Sequence, residues 1–216
     1  MGWTPDGNAQ EVQQHGVIFE EWIRQTFFGG YQPESYTQKW DIPAEANRDH
    51  GGIPVNPKAI KYGAPVGMGD ALRQFDSDEN HLLILGFWDQ TNGDKRFVKA
   101  AVIEMTPELH RKLWAPIDRA SLEALDAVIK NRELPVTEVR KMAQEMKNRP
   151  PFSEAIMQVN PKIDTKGQRR LQCSIRFADV FKHLAPEVSP QREERPTLFG
   201  VEIPKVRDSG PRTFGE

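Results

Sequence analysis

A mixed α/β domain around a central sheet is the fold class that the sequence predicts, and three observations lead to it. Helical and strand-like patterns alternate along the chain: helix, two strands, helical turn, two strands, helices and a late strand. The run HLLILGFW is almost wholly apolar and bounded by polar residues, as expected of a strand buried on both faces. The 216 residues are 38% hydrophobic and 28% charged, the balance of a globular protein with a polar surface and a sizeable core.

Residues 1–15 are polar and read as a flexible N-terminus. In GVIFEEWIRQTFF (16–28), Ile18, Phe19, Trp22, Ile23 and Phe27 fall on one stripe at helical spacing, and Gly29-Gly30 ends the helix. SYTQKWDI alternates Tyr36, Gln38, Trp40 and Ile42 with Thr37, Lys39 and Asp41, which predicts a strand. PAEANRDHGG has loop composition. GIPVNPKAIKYG predicts a second strand whose prolines make it irregular or edge-like. GAPVG reads as a loop and GDALRQF as a short helix capped by Asp70. HLLILGFW and RFVKAAVIEM are partner strands across the turn TNGDK. A helix starts behind Thr106 with Pro107 in its first position, and helices continue through LEALDAVIK and TEVRKMAQEMK to Pro150-Pro151. In QRRLQCSIRF, Leu171, Cys173, Ile175 and Phe177 face one way and Arg170, Gln172, Ser174 and Arg176 the other. From about Pro186 the chain is rich in proline and charge. The expected organisation is a main domain over 16–185 and an extended C-terminal arm over 186–216.

Several function classes are excluded by what the chain lacks. Its one cysteine, Cys173, forms no internal disulfide framework or cysteine zinc site. No apolar run approaches the ~18 residues of a membrane span. The first residues lack the basic start and apolar run of a signal peptide, so a cytoplasmic location is expected. No HExxH, GxSxG or Gly-rich phosphate loop occurs. Net charge is −2, but residues 160–182 carry Lys162, Lys166, Arg169, Arg170, Arg176 and Lys182 against two aspartates, a local +4 suited to phosphates.

The candidate chemistry lies earlier. Hydrolysis of a phosphodiester at neutral pH calls for a divalent ion held by carboxylate oxygens, with a lysine to orient water or stabilise developing charge. Asp41 ends the first predicted strand. Asn56 and Lys58 are two apart on the next, so both point to one side. Asp89, with Asp94-Lys95 nearby, is the competing candidate, although TNGDK has hairpin-turn composition.

Lys39-Trp40-Asp41 and Val55-Asn56-Pro57-Lys58 resemble the strand-end Asp and following acid-x-Lys pattern of the PD-(D/E)xK nuclease superfamily, in particular its type II restriction endonucleases. KYGAPVGMGDALRQF, HLLILGFWDQ and QRRLQCSIRF are similar to stretches in those enzymes, so the resemblance covers most of 16–182. It implies a restriction-endonuclease-like mixed central sheet flanked by helices. It also implies Mg²⁺-dependent cleavage of double-stranded DNA, with Mn²⁺ tolerated, by a homodimer. The catalytic set is then Asp41, Asn56, Lys58 and Glu20, with Asp41 and Glu20 as metal ligands, because the family's first helix often supplies a further acid. The chain departs from the pattern at Asn56, which replaces an acid, and at Pro57. A substitute role for Glu20, weak metal binding and an inactive homologue all stay open at this point, as does a repair-type nuclease.

The late strand is the expected DNA reader. Arginine pairs with guanine edges and glutamine with adenine. Arg170, Gln172, Ser174 and Arg176 are assigned to DNA together with Arg169, Lys162 and Lys166. In this division Arg170 and Gln172 serve sequence choice, and the lysines serve affinity.

Overall fold

The computed structural model describes residues 18–33, 39–91, 94–165 and 167–205. The expected N-terminus (1–15), Tyr36, Thr37, Gln38 and Lys166 lie outside the described residues. The protein is mixed α/β, and its chain forms two units. One draws on Met1–Ala64, Asn80–Met105 and Ala185–Glu216, and the other on Pro65–Glu79 and Thr106–Leu184. The span 16–185, expected as one continuous domain, therefore contributes to both. Among the described residues no helix is long and apolar enough to cross a membrane.

In the first unit a helix over 18–27 (α1) ends where Gly29 and Gly30 turn to positive φ, and the Gly30 N–H reaches the Arg24 carbonyl at 2.9 Å. Three strands follow: β1 (Val55–Lys61), β3 (His81–Thr91) and β4 (Asp94–Met105), in the order β1-β3-β4. The pair β1–β3 is parallel and β3–β4 antiparallel, so the sheet is mixed. β3 is central, and His81 through Phe87 are buried, as the apolar run predicts. β1 holds the edge, where Pro57 can lack an N–H without breaking a ladder on both sides. Phe19 and Ile23 of α1 pack on the face carrying Val55, Leu82 and Ile84. Gly86 is glycine because the Phe19 ring lies against it: a Cβ there would sit 2.4 Å from Phe19 Cζ.

The expected strand over 35–42 is corrected in its described part. Residues 39–41 are bends, and Ile42 forms only an isolated antiparallel bridge with Val55. Pro43 follows at once and removes the next donor, and the chain enters a 3-10 turn at Ala44–Ala46.

The described part of the expected extended arm, residues 186–205, returns to the first unit. Leu198 and Ile203 enter its core, and Thr197–Leu198 (β7) pairs with Val201–Glu202 (β8). Phe199 and Gly200 both have positive φ, as a two-residue hairpin turn requires. The Phe199 ring stacks on His50 with centroids 3.8 Å apart. A bulge in the β3–β4 ladder falls between Phe87 and Trp88, and the Val98 carbonyl accepts the Glu193 N–H at 2.7 Å.

In the second unit β2 (Val66–Asp70), β6 (Arg169–Ile175) and β5 (Gln158–Ile163) form an antiparallel sheet in the order β2-β6-β5. Two of these strands correct the sequence reading. Val66 and Gly67, expected in a loop, open β2, and β5 was not anticipated. Helices α2 (Ala71–Phe75), α3 (Pro107–Trp114), α4 (Arg119–Lys130) and α5 (Val136–Lys147) complete the unit, with α4 and α5 against β6 and β5. Asp70 caps α2 through the Arg73 N–H at 2.9 Å, and Thr106 caps α3 through the Leu109 N–H at 3.1 Å. Phe177, expected at the end of the late strand, begins a helical stretch, α6 (Phe177–Asp179).

Candidate active site

The first unit gathers the residues named for catalysis. Ile42 and Val55 exchange both backbone hydrogen bonds, at 3.1 and 2.8 Å. With that pair antiparallel, the preceding Asp41 comes level with Asn56, the next residue of β1. Lys58 lies two residues on, on the same side as Asn56. The loop that makes this return is pinned by Asn47, which is fully buried. Its Nδ2 donates to the carbonyls of His50 (2.9 Å) and Ile53 (2.8 Å), and its Oδ1 accepts the His50 N–H at 3.1 Å.

Glu20 approaches from α1. Burial pushes its carboxyl up to about 7, and the negative charge of Asp41 adds to the rise, while Arg24 and Lys58 oppose it. Glu20, Asp41 and Lys58 therefore act within one electrostatic neighbourhood. Arg24 follows Glu20 by one helical turn, 4.0 Å from its carboxylate. Two buried polar atoms here have no hydrogen-bond partner among the described residues, Arg24 Nε and Asn56 Oδ1.

This donor set fits a hard divalent cation. Two carboxylates that repel each other gain from a shared positive charge, and the carbonyl oxygen of Asn56 is a buried acceptor lacking a donor. Among the described residues no group of three or more His, Cys, Asp or Glu side chains is placed to hold a metal. The set is two carboxylates and an amide, with a lysine beside them.

The competing candidate, Asp89, is engaged elsewhere. Its Oδ2 accepts from Arg192 Nε at 2.9 Å and forms an ion pair with Nη2 at the same distance, which ties the returning segment to β3. Nearby, Lys99, 4% exposed, pairs with Glu193, and Tyr62 Oη donates to the Pro190 carbonyl at 2.7 Å.

The residues assigned to DNA divide by face in the second unit. Arg170, Gln172 and Ser174 share one face of β6. Arg169 is on the other, where its Nη1 donates to the Ile129 carbonyl near the end of α4 at 3.3 Å. Arg176 has left the strand and pairs with Asp179. Lys162 is exposed on β5.

Two contributors escaped sequence reasoning. Arg24 was signalled only by its i,i+4 spacing from Glu20, which is common on solvated helices. Asn47 sat in a stretch whose composition said only loop. Comparison of the chain with protein-family models, curated proteins and solved structures finds no match.

Proposed function

We propose that the chain is a sequence-specific endonuclease of the restriction type, acting on double-stranded DNA with Mg²⁺ (Mn²⁺ also serving) as a cytoplasmic homodimer. One observation carries the reading. Glu20, Asp41 and Lys58 share one electrostatic neighbourhood, with the unpartnered carbonyl oxygen of Asn56 level with Asp41. The mixed β1-β3-β4 sheet with α1 against it is consistent with a restriction-endonuclease-like core.

In this reading Asp41 and Glu20 would hold the cation and Asn56 Oδ1 would add a neutral ligand. When bound, Mg²⁺ lowers the pKa of coordinated water and neutralises phosphate charge. Lys58 would orient the attacking water or stabilise the charge developing on the phosphate. Glu20 must lose its proton to take part, and Lys58 favours that loss. A neutral Asn in place of an acid favours a second reading, a DNA-binding protein with weak or no catalysis.

Incubation of plasmid DNA with the protein tests the first reading. Discrete fragments are expected with Mg²⁺ and none with EDTA. Binding without cleavage supports the second reading, and cleavage that follows DNA structure rather than sequence supports a repair-type nuclease.

A further inference from the structure

The second unit carries a sheet face whose polar side chains lie in register. Three cross-strand pairs form it: Lys162 opposite Arg170, Asn160 opposite Gln172, and Gln158 opposite Ser174. The reverse face of β6, with Leu171, Cys173 and Ile175, is buried, so the strand that presents the polar face is anchored. On β2 the residue level with Ser174 is Gly67, which adds no side chain to that rung, and the residue level with Gln172 is Asp70, whose Oδ1 accepts the Arg73 N–H at 2.9 Å.

The hydrogen bonding within the face is selective. Asn160 Nδ2 donates to Ser174 Oγ at 2.8 Å and to the Gln158 carbonyl at 3.3 Å, which fixes the amide and leaves its Oδ1 without a partner. The side-chain amides of Gln172 and Gln158 have no partner among the described residues. Gln168, with its amide oxygen turned toward Arg170, accepts from Arg170 Nε at 3.3 Å and Nη2 at 2.9 Å. The face therefore offers a held guanidinium, a held amide and two amides with open valences. Lys162 and Arg170, both exposed, add positive charge.

We infer that β5 and β6, the ribbon on the β5 side of the β2-β6-β5 sheet, lay their polar face along the DNA major groove, where Asn160 and Gln172 read adjacent base edges, Ser174 positions Asn160 and Gln168 positions Arg170. The major groove, about 12 Å wide, admits two strands; there Gln172 can pair with the N6 and N7 edge of adenine, while Asn160, its N–H groups already donated, can accept through Oδ1 from adenine N6 or cytosine N4. Successive rungs on one face are roughly 6.8 Å apart, twice the ~3.4 Å rise of a base pair, so neighbouring rungs address base pairs two steps apart. The deep, narrow major groove of duplex RNA does not admit side chains in this way, which makes DNA the occupant. The inference rests on the proposed action on duplex DNA, and it moves recognition from one strand to a pair.

The test is selection from a pool of random DNA duplexes by the full-length protein, in Ca²⁺ to prevent cleavage. Wild type is expected to enrich one short motif. Asn160→Ala and Ser174→Ala should both flatten preference at the same base pair, by about tenfold or more for Asn160→Ala. Gln172→Glu, nearly isosteric, should change the preferred base toward cytosine at a single pair, because glutamate accepts from cytosine N4. Circular dichroism and thermal melting confirm that each variant is folded. A pool with no enriched motif, or variants that enrich the wild-type motif with wild-type strength, overturns the ribbon. Plasmid cleavage in Mg²⁺ separates the two readings. Cutting at discrete sites that Gln172→Glu and Asn160→Ala leave unchanged removes the ribbon and keeps the nuclease. No cutting, with altered enrichment by the variants, removes the nuclease and keeps the ribbon.

Discussion

Glu20 is the residue at which folding and proposed catalysis meet. Its carboxyl is raised from 4.5 to about 7, so the metal-free folded state holds a proton that the unfolded chain releases at lower pH. The contribution to stability is fully present below about pH 4.5 and is lost as pH rises through about 7. A shift of this size corresponds to at most about 3 kcal/mol, reduced by solvent screening because the side chain is 30% exposed. Denaturant unfolding in EDTA across that window should show wild type losing stability while Glu20→Gln stays flat; parallel curves would mean that the carboxyl titrates normally. A cation competes with that proton, so Mg²⁺ affinity and cleavage should rise as pH climbs through about 7. Asp41→Ala should lower the cleavage rate by at least about a hundredfold with the fold intact. A folded variant that cuts at near the wild-type rate would remove Asp41 from the site. Asn56→Asp adds a third negative charge around Asn56 Oδ1, an acceptor already buried and unpartnered. It should shift the Mg²⁺ and Mn²⁺ concentrations that give half-maximal cleavage, and unchanged curves would place Asn56 away from the metal.

At the scale of elements, the loop from Pro43 to Pro54 sets the distance between Asp41 and β1, and Asn47 sets the loop. Asn47→Ala removes three hydrogen bonds inside the protein and leaves the His50 and Ile53 carbonyls without this donor. The expected loss is about 2–4 kcal/mol in urea unfolding. Cleavage should fall further than the unfolded fraction explains, because the Ile42–Val55 bridge loosens with the loop. Legibility in the sequence followed the same logic of local against distant pairing. β3 was readable because its apolar run is continuous, and α3 because Thr106-Pro107 is a local start signal. β5 was hidden by Asn160-Pro161-Lys162, a polar turn-like triplet that is a strand only because β6 lies beside it. Two glycines disguised β2 as a loop. Residues 39–41 were over-read for the opposite reason: their alternation suits a strand, but hydrogen bonding stops at one bridge before Pro43. Asp41, Asn56 and Lys58 were visible through spacing along the chain. The burial of Arg24 and the open valence of Asn56 exist only in three dimensions.

For the whole molecule, net charge is a poor guide to partners, since −2 overall coexists with the basic stretch around β5 and β6. Lys162, exposed, should act through phosphate rather than base edges. Lys162→Ala should weaken binding to all duplexes alike and lower the slope of log affinity against log salt by about one. A loss confined to one sequence would assign it to base reading instead. The path of the chain has a further consequence, for truncation. Since residues 185–205 rejoin the first unit, its core is completed by a segment far along the chain from Phe19 and Ile23. Without that segment, Lys99 lacks Glu193, Asp89 lacks Arg192, and the core lacks Leu198 and Ile203. A chain ending at Leu184 would keep Asp41, Asn56, Lys58 and Glu20 but carry an open hydrophobic core and an unpaired buried lysine.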